Sequence, residues 1–169
     1  MIRNWEPCFA SVMREEGGYV NNPKDPGGAT NHGVTKHVWE SWIGHPVSDD
    51  DMKRLTIDDV KPLYKQRYWD VCRCDELPDG VDFVVFDTAV NSGTTKAARL
   101  LQQMLSIPVD GVIGPKTVAA AKEANSRNLS DRYCDARLAY LKGLGTWPTF
   151  GDGWGARISQ LRASADLMA

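Results

Sequence analysis

Val81–Asn91 is apolar on most of its faces. A segment with no polar stripe must be buried on every side, so it belongs at the centre of whatever fold the chain adopts. Periodicity alone fits a buried strand or a buried helix. Pro78-Asp79-Gly80 before it, Asn91-Ser92-Gly93 after it, and its length together predict a central helix.

The other elements read as helices. Ile2, Trp5, Phe9, Val12 and Met13 recur at helical spacing, and Gly17-Gly18 ends that helix. Residues 19–34 are rich in Gly, Pro and Asn and predict an extended stretch with a short hairpin or two irregular strands. Thr35 is placed to cap a short helix carrying Val38, Trp39 and Trp42. Thr56, with Asp59 three positions on, reads as a capping box for a helix carrying Val60, Leu63, Tyr64 and Tyr68, with Pro62 placed to bend it. A helix from Thr94 or Thr95 to about Leu105 presents Ala98, Leu101 and Gln102, and Asp110-Gly111 is a turn. Pro115 opens a helix with Val118 and Ala121. Ser130 is expected to cap the next, with Tyr133, Leu138 and Leu141, and Asp152-Gly153 to precede the last, with Trp154, Ile158 and Leu161. The sum is a mainly α fold with one small irregular β region near the N-terminus.

The chain has 169 residues, 42% hydrophobic and 25% charged, with a net charge of -2. That suffices for one domain with its own core. The charge lacks the basic footprint of a nucleic-acid binder. No apolar run reaches the roughly 18 residues that span a bilayer, and residues 1–7 hold no apolar signal core. The expectation is a cytoplasmic protein with no stable membrane insertion, exported, if at all, by another route. Cys8, Cys72, Cys74 and Cys134 lack zinc-site spacing and read as reduced, buried thiols. Asp49-Asp50-Asp51 lacks the alternating ligands and central Gly of a calcium loop, so it reads as charge at a helix start. No metal and no cofactor are expected.

The chemistry points to Glu16 and Asp25. Glu16 sits where the first helix ends, and Asp25 follows in a loop that can fold back across from it. Two carboxylates facing each other across a groove are what glycosidic cleavage requires: one protonates the leaving oxygen, the other steers water or stabilises the transition state. Partial burial would keep Glu16 protonated, while Asp25 in an open polar loop stays ionised. Gly17 and Gly18 would let a sugar approach the backbone. On spacing alone a solvated helix-end charge and a turn residue are the better reading. Asn91, ending the central helix, reads either as a groove-facing ligand for an N-acetyl group or hydroxyl, or as a residue that closes its own backbone turn. His32 is placed to line the groove, while His37 and His45 read as surface residues. Trp5, Trp39 and Trp69 fit core faces, and Trp42, Trp147 and Trp154 are more open to a substrate role.

Glu16-Gly17-Gly18-Tyr19, followed through Asp25, Thr30 and Gly33 to Thr35, resembles the signature of glycoside hydrolase family 108. That family holds phage-type N-acetylmuramidases and bacterial proteins once labelled secretion activators. The likeness continues through Tyr68-Trp69, Phe86–Gly93, Asp110–Gly114 and Phe150–Trp154, and so spans nearly the whole chain. It implies a lysozyme-like single domain over residues 1–169. Residues 1–93 form the catalytic half and 94–169 a helical half like the family's peptidoglycan-binding region. The expected cleft lies between the Glu16 loop and the central helix.

By this resemblance Glu16 is the catalytic acid, Asp25 its opposed carboxylate and Thr30 the residue that positions water. Tyr19, Asn31, His32 and Asn91 are the expected substrate-binding residues. Phage-type lysozymes space their Thr so that the position would fall on Asn31, one beyond Thr30, so Thr30, Asn31 and Thr35 all stand as water-positioning residues. The implied reaction is hydrolysis of the β-1,4 bond between N-acetylmuramic acid and N-acetylglucosamine in glycan strands of peptidoglycan. The implied setting is a monomeric phage or prophage endolysin, made in the host cytoplasm and released to the wall by a holin-type partner. A bacterial secretion role fits the residues equally. Rival readings are a lytic transglycosylase and a noncatalytic peptidoglycan-binding or secretion-accessory protein.

Overall fold

The computed structural model describes residues 4–169. Ile2, read as part of the first helix, lies outside the described residues. The chain forms two compact units, Phe9–Gln66 and the residues up to Cys8 together with Arg67–Ala169.

The first helix, α1 (Trp5–Glu15), buries Trp5, Cys8, Phe9, Val12 and Met13, one stripe at helical spacing. In the Phe9–Gln66 unit, β1 (Thr30–Asn31) and β2 (Val34–Thr35) form a small antiparallel hairpin, and Val20 bridges to Thr30 outside it. Next come α2 (Lys36–Ile43), α3 (Asp49–Arg54) and α4 (Ile57–Tyr64). Their starts are chemically marked as expected. Thr35 accepts from Val38 N at 3.2 Å. Thr56 and Asp59 close a capping box, and so do Ser48 and Asp51. The three aspartates are thus the charged start of α3. Two expectations change. α2 buries none of its residues, and Trp39 is half-buried rather than core. The helix from Thr56 does not run evenly to Tyr68, because α4 widens into a π-helical turn over Lys65–Asp70 just after Pro62, which has no N–H to donate.

In the second unit, α5 (Val81–Ser92) is the expected central helix, buried continuously from Val81 to Ala89. Around it pack α6 (Thr94–Met104), α8 (Ser126–Lys142), α9 (Trp147–Met168) and a 3-10 turn at Cys74–Glu76, with α7 (Pro115–Glu123) against α8. Trp5, Trp69 and Phe86 form an edge-to-face triad with centroids 5.3–5.5 Å apart. Gln102 is buried and clamps the Asp110-Gly111 turn, accepting from both backbone N–H groups and donating to Asp110 Oδ1 at 2.7 Å. All four cysteines are free and buried. Burial pushes the thiols of Cys8 and Cys74 up, and that of Cys134 up to about 12.

Two helix starts differ from expectation. Asn125, not Ser130, caps α8, accepting from Asn128 N at 2.9 Å. Ser130 lies inside the helix, where its hydroxyl donates to Ser126 O one turn back. The last helix begins at Trp147 rather than after Gly153. Its glycines do not break it, because Trp147 lies across Gly151, where a Cβ would stand 2.5 Å from the indole. Trp154 follows on the same face, 6.2 Å from Trp147 and 5.6 Å from Phe150. These ring contacts along the helix face offset the roughly 1 kcal/mol that each helical glycine costs.

Candidate active site

The site lies in the Phe9–Gln66 unit and is built on the hairpin. His32 and Gly33 form its two-residue turn, with φ of 49° and 74°. Two successive positive values mark a type I′ turn, whose twist matches that of the strands it joins. The pairing of Thr30 with Thr35 and Asn31 with Val34 sorts the side chains by face. Asn31 and Val34 are buried, and Thr30 and Thr35 share the other face.

The buried face is anchored by side-chain bonds to the end of α3. Asn31 Nδ2 donates to Met52 O at 2.9 Å, and more weakly to Lys53 O and Leu55 O at 3.4 Å. His32 Nε2 meets Leu55 O at 2.9 Å. The carbonyl of His32, which a two-residue turn leaves outside the strand ladder, accepts from the Tyr64 hydroxyl at 2.9 Å. Tyr64 is buried, with its ring edge-to-face on Phe9 at 5.8 Å.

Glu16 follows the last residue of α1 and is half-buried. Its carboxylate lies against Gly33. A Cβ on Gly33 would stand 2.5 Å from Glu16 Oε2 and would collide with the Tyr64 hydroxyl as well. With its positive φ, this position therefore accepts only glycine. Gly17 and Gly18 are exposed, with nothing within 4 Å of where a Cβ would stand, so their backbone is open to a ligand. Tyr19 is half-buried, with Lys53 Nζ 5.4 Å from its ring centroid.

Asp25 is exposed, in a loop held by turns of its own. Asp25 N donates to Asn22 O at 2.9 Å, and Asp25 Oδ1 accepts from Gly27 N at 2.8 Å. A Cβ on Gly27 would stand 3.0–3.1 Å from both Asp25 Oδ1 and the Thr35 side chain, so the two groups flank that bare Cα. The hairpin thus carries Glu16 at its turn and Asp25 beside its second strand.

Of the three residues read as water-positioning, two have other bonds. Asn31 turns its amide into the interior, and the Thr35 hydroxyl caps α2. Thr30 is half-buried on the outer face, and among the described residues its hydroxyl has no partner. His37 and His45 are exposed.

Asn91 belongs to the other unit. It is exposed in the last turn of α5, where its Oδ1 accepts from Arg137 Nη2 and Ser92 Oγ, both at 3.3 Å. That leaves the amide N–H groups as what Asn91 can present to a ligand. Arg137 is fully buried and pairs with Asp87 at 2.5 Å, while Arg157 binds the same carboxylate at 2.9 Å. Burial opposes the charge on Asp87, but the two guanidiniums outweigh it and hold its carboxyl below the usual range.

Tyr64 and Gly33 are the residues here to which the sequence alone assigned no part. Tyr64 reads as one more apolar position on a helix face, and only the folded hairpin brings it to Glu16. Among the described residues no group of three His, Cys, Asp or Glu could hold a metal ion, and no helix is long and apolar enough to cross a membrane.

Comparison with known proteins gives the family. Residues 9–93 match the family model of glycosyl hydrolase 108, and residues 96–158 match that of the predicted peptidoglycan domain. No curated protein matches. Among solved structures, that of Brucella abortus SagA is 42% identical, covers 99% of this chain and 97% of its own, and superposes with a TM-score of 0.87. With the family model over its N-terminal half and this relative over nearly all its length, the chain belongs to glycosyl hydrolase family 108 and is a glycoside hydrolase of peptidoglycan.

Proposed function

We propose that the protein is an N-acetylmuramidase that hydrolyses the β-1,4 bond between N-acetylmuramic acid and N-acetylglucosamine. Glu16 protonates the leaving oxygen. Asp25 faces the anomeric carbon from the other side, and with Thr30 it orients the attacking water. The observation that carries this reading is the hairpin itself, which holds a half-buried carboxylate at its turn and an exposed one beside its second strand. The free hydroxyl of Thr30 on the same face as Thr35 supports its part in holding that water.

The substrate lies outside the cytoplasmic membrane, so the enzyme has to reach the wall. The setting we propose is phage-type lysis by a monomer, stored in the cytoplasm and released through a membrane-permeabilising partner.

Digestion of purified peptidoglycan, borohydride reduction and mass analysis test the chemistry. Muramidase action leaves reduced muramic acid ends and adds one water per cut. Anhydro ends would mean a lytic transglycosylase, reduced glucosamine ends would move the cut to the other bond, and no release at all would leave a binding module. Glu16→Gln keeps the shape and removes the transferable proton, so turnover is expected to fall at least about 100-fold with the fold intact. Near-normal turnover by that folded variant would end the assignment.

A further inference from the structure

Within the second unit, a cavity of about 470 Å³ opens where α6 and α7 end and α8 begins. That is the size of a small-ligand site, and the reaction scheme does not use it. α6 stops in a Schellman motif. Ser106 takes a φ of 55°, Ser106 N donates to Gln103 O at 3.1 Å, and Ile107 N donates to Gln102 O at 3.2 Å. α7 stops at Glu123, and Asn125 caps α8 two residues on.

The lining is divided by chemistry. Leu105, Ile107 and Leu129 make part of it apolar. Glu123 and Arg132 bring opposite charges to it, and both are exposed. They do not pair with each other, and among the described residues neither side chain has an ion-pair or hydrogen-bond partner. Asn128, also in the lining, stands one turn before Arg132 on the same face of α8. The helix ends add the same division of charge. The C-terminal ends of α6 and α7 favour a cation, and the start of α8 favours an anion.

A ligand that answers both charges carries an ammonium and a carboxylate. The glycan of peptidoglycan is built of N-acetylated sugars and offers no cation, and no aromatic ring for a sugar to stack on lines this cavity. The peptide stem offers both groups. A diaminopimelate residue ends in a carbon that bears one ammonium and one carboxylate, carried on a short methylene chain.

We propose that this cavity binds the peptide stem of peptidoglycan: Glu123 accepts from the ammonium and Arg132 donates to the carboxylate of a zwitterionic diamino-acid end, while the methylene chain lies on Ile107 and Leu129. Asn128 supplies a further amide beside the carboxylate. The proposal rests on the reading of the chain as an enzyme of peptidoglycan. The cavity falls inside residues 96–158, the stretch that matches the peptidoglycan domain.

The test is calorimetric titration of the full chain with the free tripeptide L-Ala-γ-D-Glu-meso-diaminopimelate. Wild type is expected to bind it saturably. Glu123→Gln and Arg132→Gln are each expected to weaken binding about tenfold, the worth of one charge-assisted hydrogen bond. A tripeptide amidated at the carboxylate beside its free amine removes the partner of Arg132 from the ligand side. It is expected to bind wild type about tenfold more weakly than the parent tripeptide, and Arg132→Gln no more weakly, so the contact is tested on wild type even should a variant fail to fold. Absence of binding at millimolar tripeptide, or binding that neither the variants nor the amide weakens, overturns the proposal. Release of reducing ends from purified walls by wild type reads the enzyme assignment separately. Release without tripeptide binding rejects the stem site alone, whereas weakened binding in the variants without release supports the site and rejects the muramidase reading.

Discussion

At the scale of single residues, the site turns on what two similar carboxylates are attached to. Asp25 and Asp49 are both exposed aspartates with hydrogen bonds of their own. Asp25 sits beside Thr35 on the hairpin that carries Glu16. Asp49 starts α3 and pairs with Lys36 at 3.1 Å, a surface ion pair of the kind that contributes little. Asp25→Asn is expected to reduce wall hydrolysis by about 100-fold or more, since in the proposed scheme it removes the group that orients and deprotonates water. Asp49→Asn is expected to leave turnover within about twofold, because surface changes away from such machinery are nearly neutral. Turbidity loss of purified cell walls measures both, and equal mild effects would make Asp25 a turn residue only. In the proposed scheme water held between Asp25 and the sugar would invert the anomeric centre, so the expected product is the inverted anomer, which NMR of fresh digestion products reads. A retained product would turn Asp25 into a nucleophile and remove the water from the scheme.

At the scale of elements, the sequence was legible wherever a start or stop is written in local chemistry. The Thr56–Asp59 capping box, the Thr35 cap, Pro115 at a helix start and the apolar α5 are each decided by residues within a turn of one another. The errors arose where distant residues along one helix face outvote local signals. The sequence reading starts the last helix only after Asp152-Gly153, yet the rings of Trp147, Phe150 and Trp154 cover the face of its earlier turns. Gly151 is part of this packing, because only a bare Cα admits the Trp147 indole. Gly151→Ala would improve helix propensity by about 1 kcal/mol on an open helix. Here it is expected to destabilise by about 1–3 kcal/mol instead, through overpacking. Denaturant unfolding checks the sign, and a stabilised variant would show that the rings move aside freely. The candidate site divides in the same way. Glu16 and Asp25 stand out because their neighbours form a dense local motif. Tyr64 does not, because the hairpin turn that brings it to Glu16 is a tertiary feature with no trace in the spacing of α4.

At the scale of the whole molecule, the charge that α5 carries into the core sets how stability depends on pH. Asp82 and Asp87 are both 3% exposed, and their environments push them in opposite directions. Burial raises Asp82 to about 6, against hydrogen bonds from Asn4, Phe83 and Gly80. Asp87 is held low by Arg137 and Arg157, which outweigh its burial. For Asp82 the folded state keeps a proton that the unfolded chain has released above its ordinary value near 4. Stability therefore falls as pH rises from about 4 to about 6 and then levels off, by on the order of 3 kcal/mol at most. For Asp87 the sign is reversed. Its contribution is present above the unfolded value and is lost as pH falls below it. The contribution of Asp82 thus favours mildly acidic pH over neutrality, and that of Asp87 opposes strong acid. Asp82→Asn cannot ionise, so its melting temperature is expected to stay level between pH 4 and 7 where wild type declines. Asp87→Asn removes the carboxylate paired with the buried Arg137, which costs about 3–5 kcal/mol at neutral pH. Thermal melts of wild type and both variants across pH 3–8 decide the matter. A decline in Asp82→Asn as steep as that of wild type would show that the buried charge at the start of α5 is not its source.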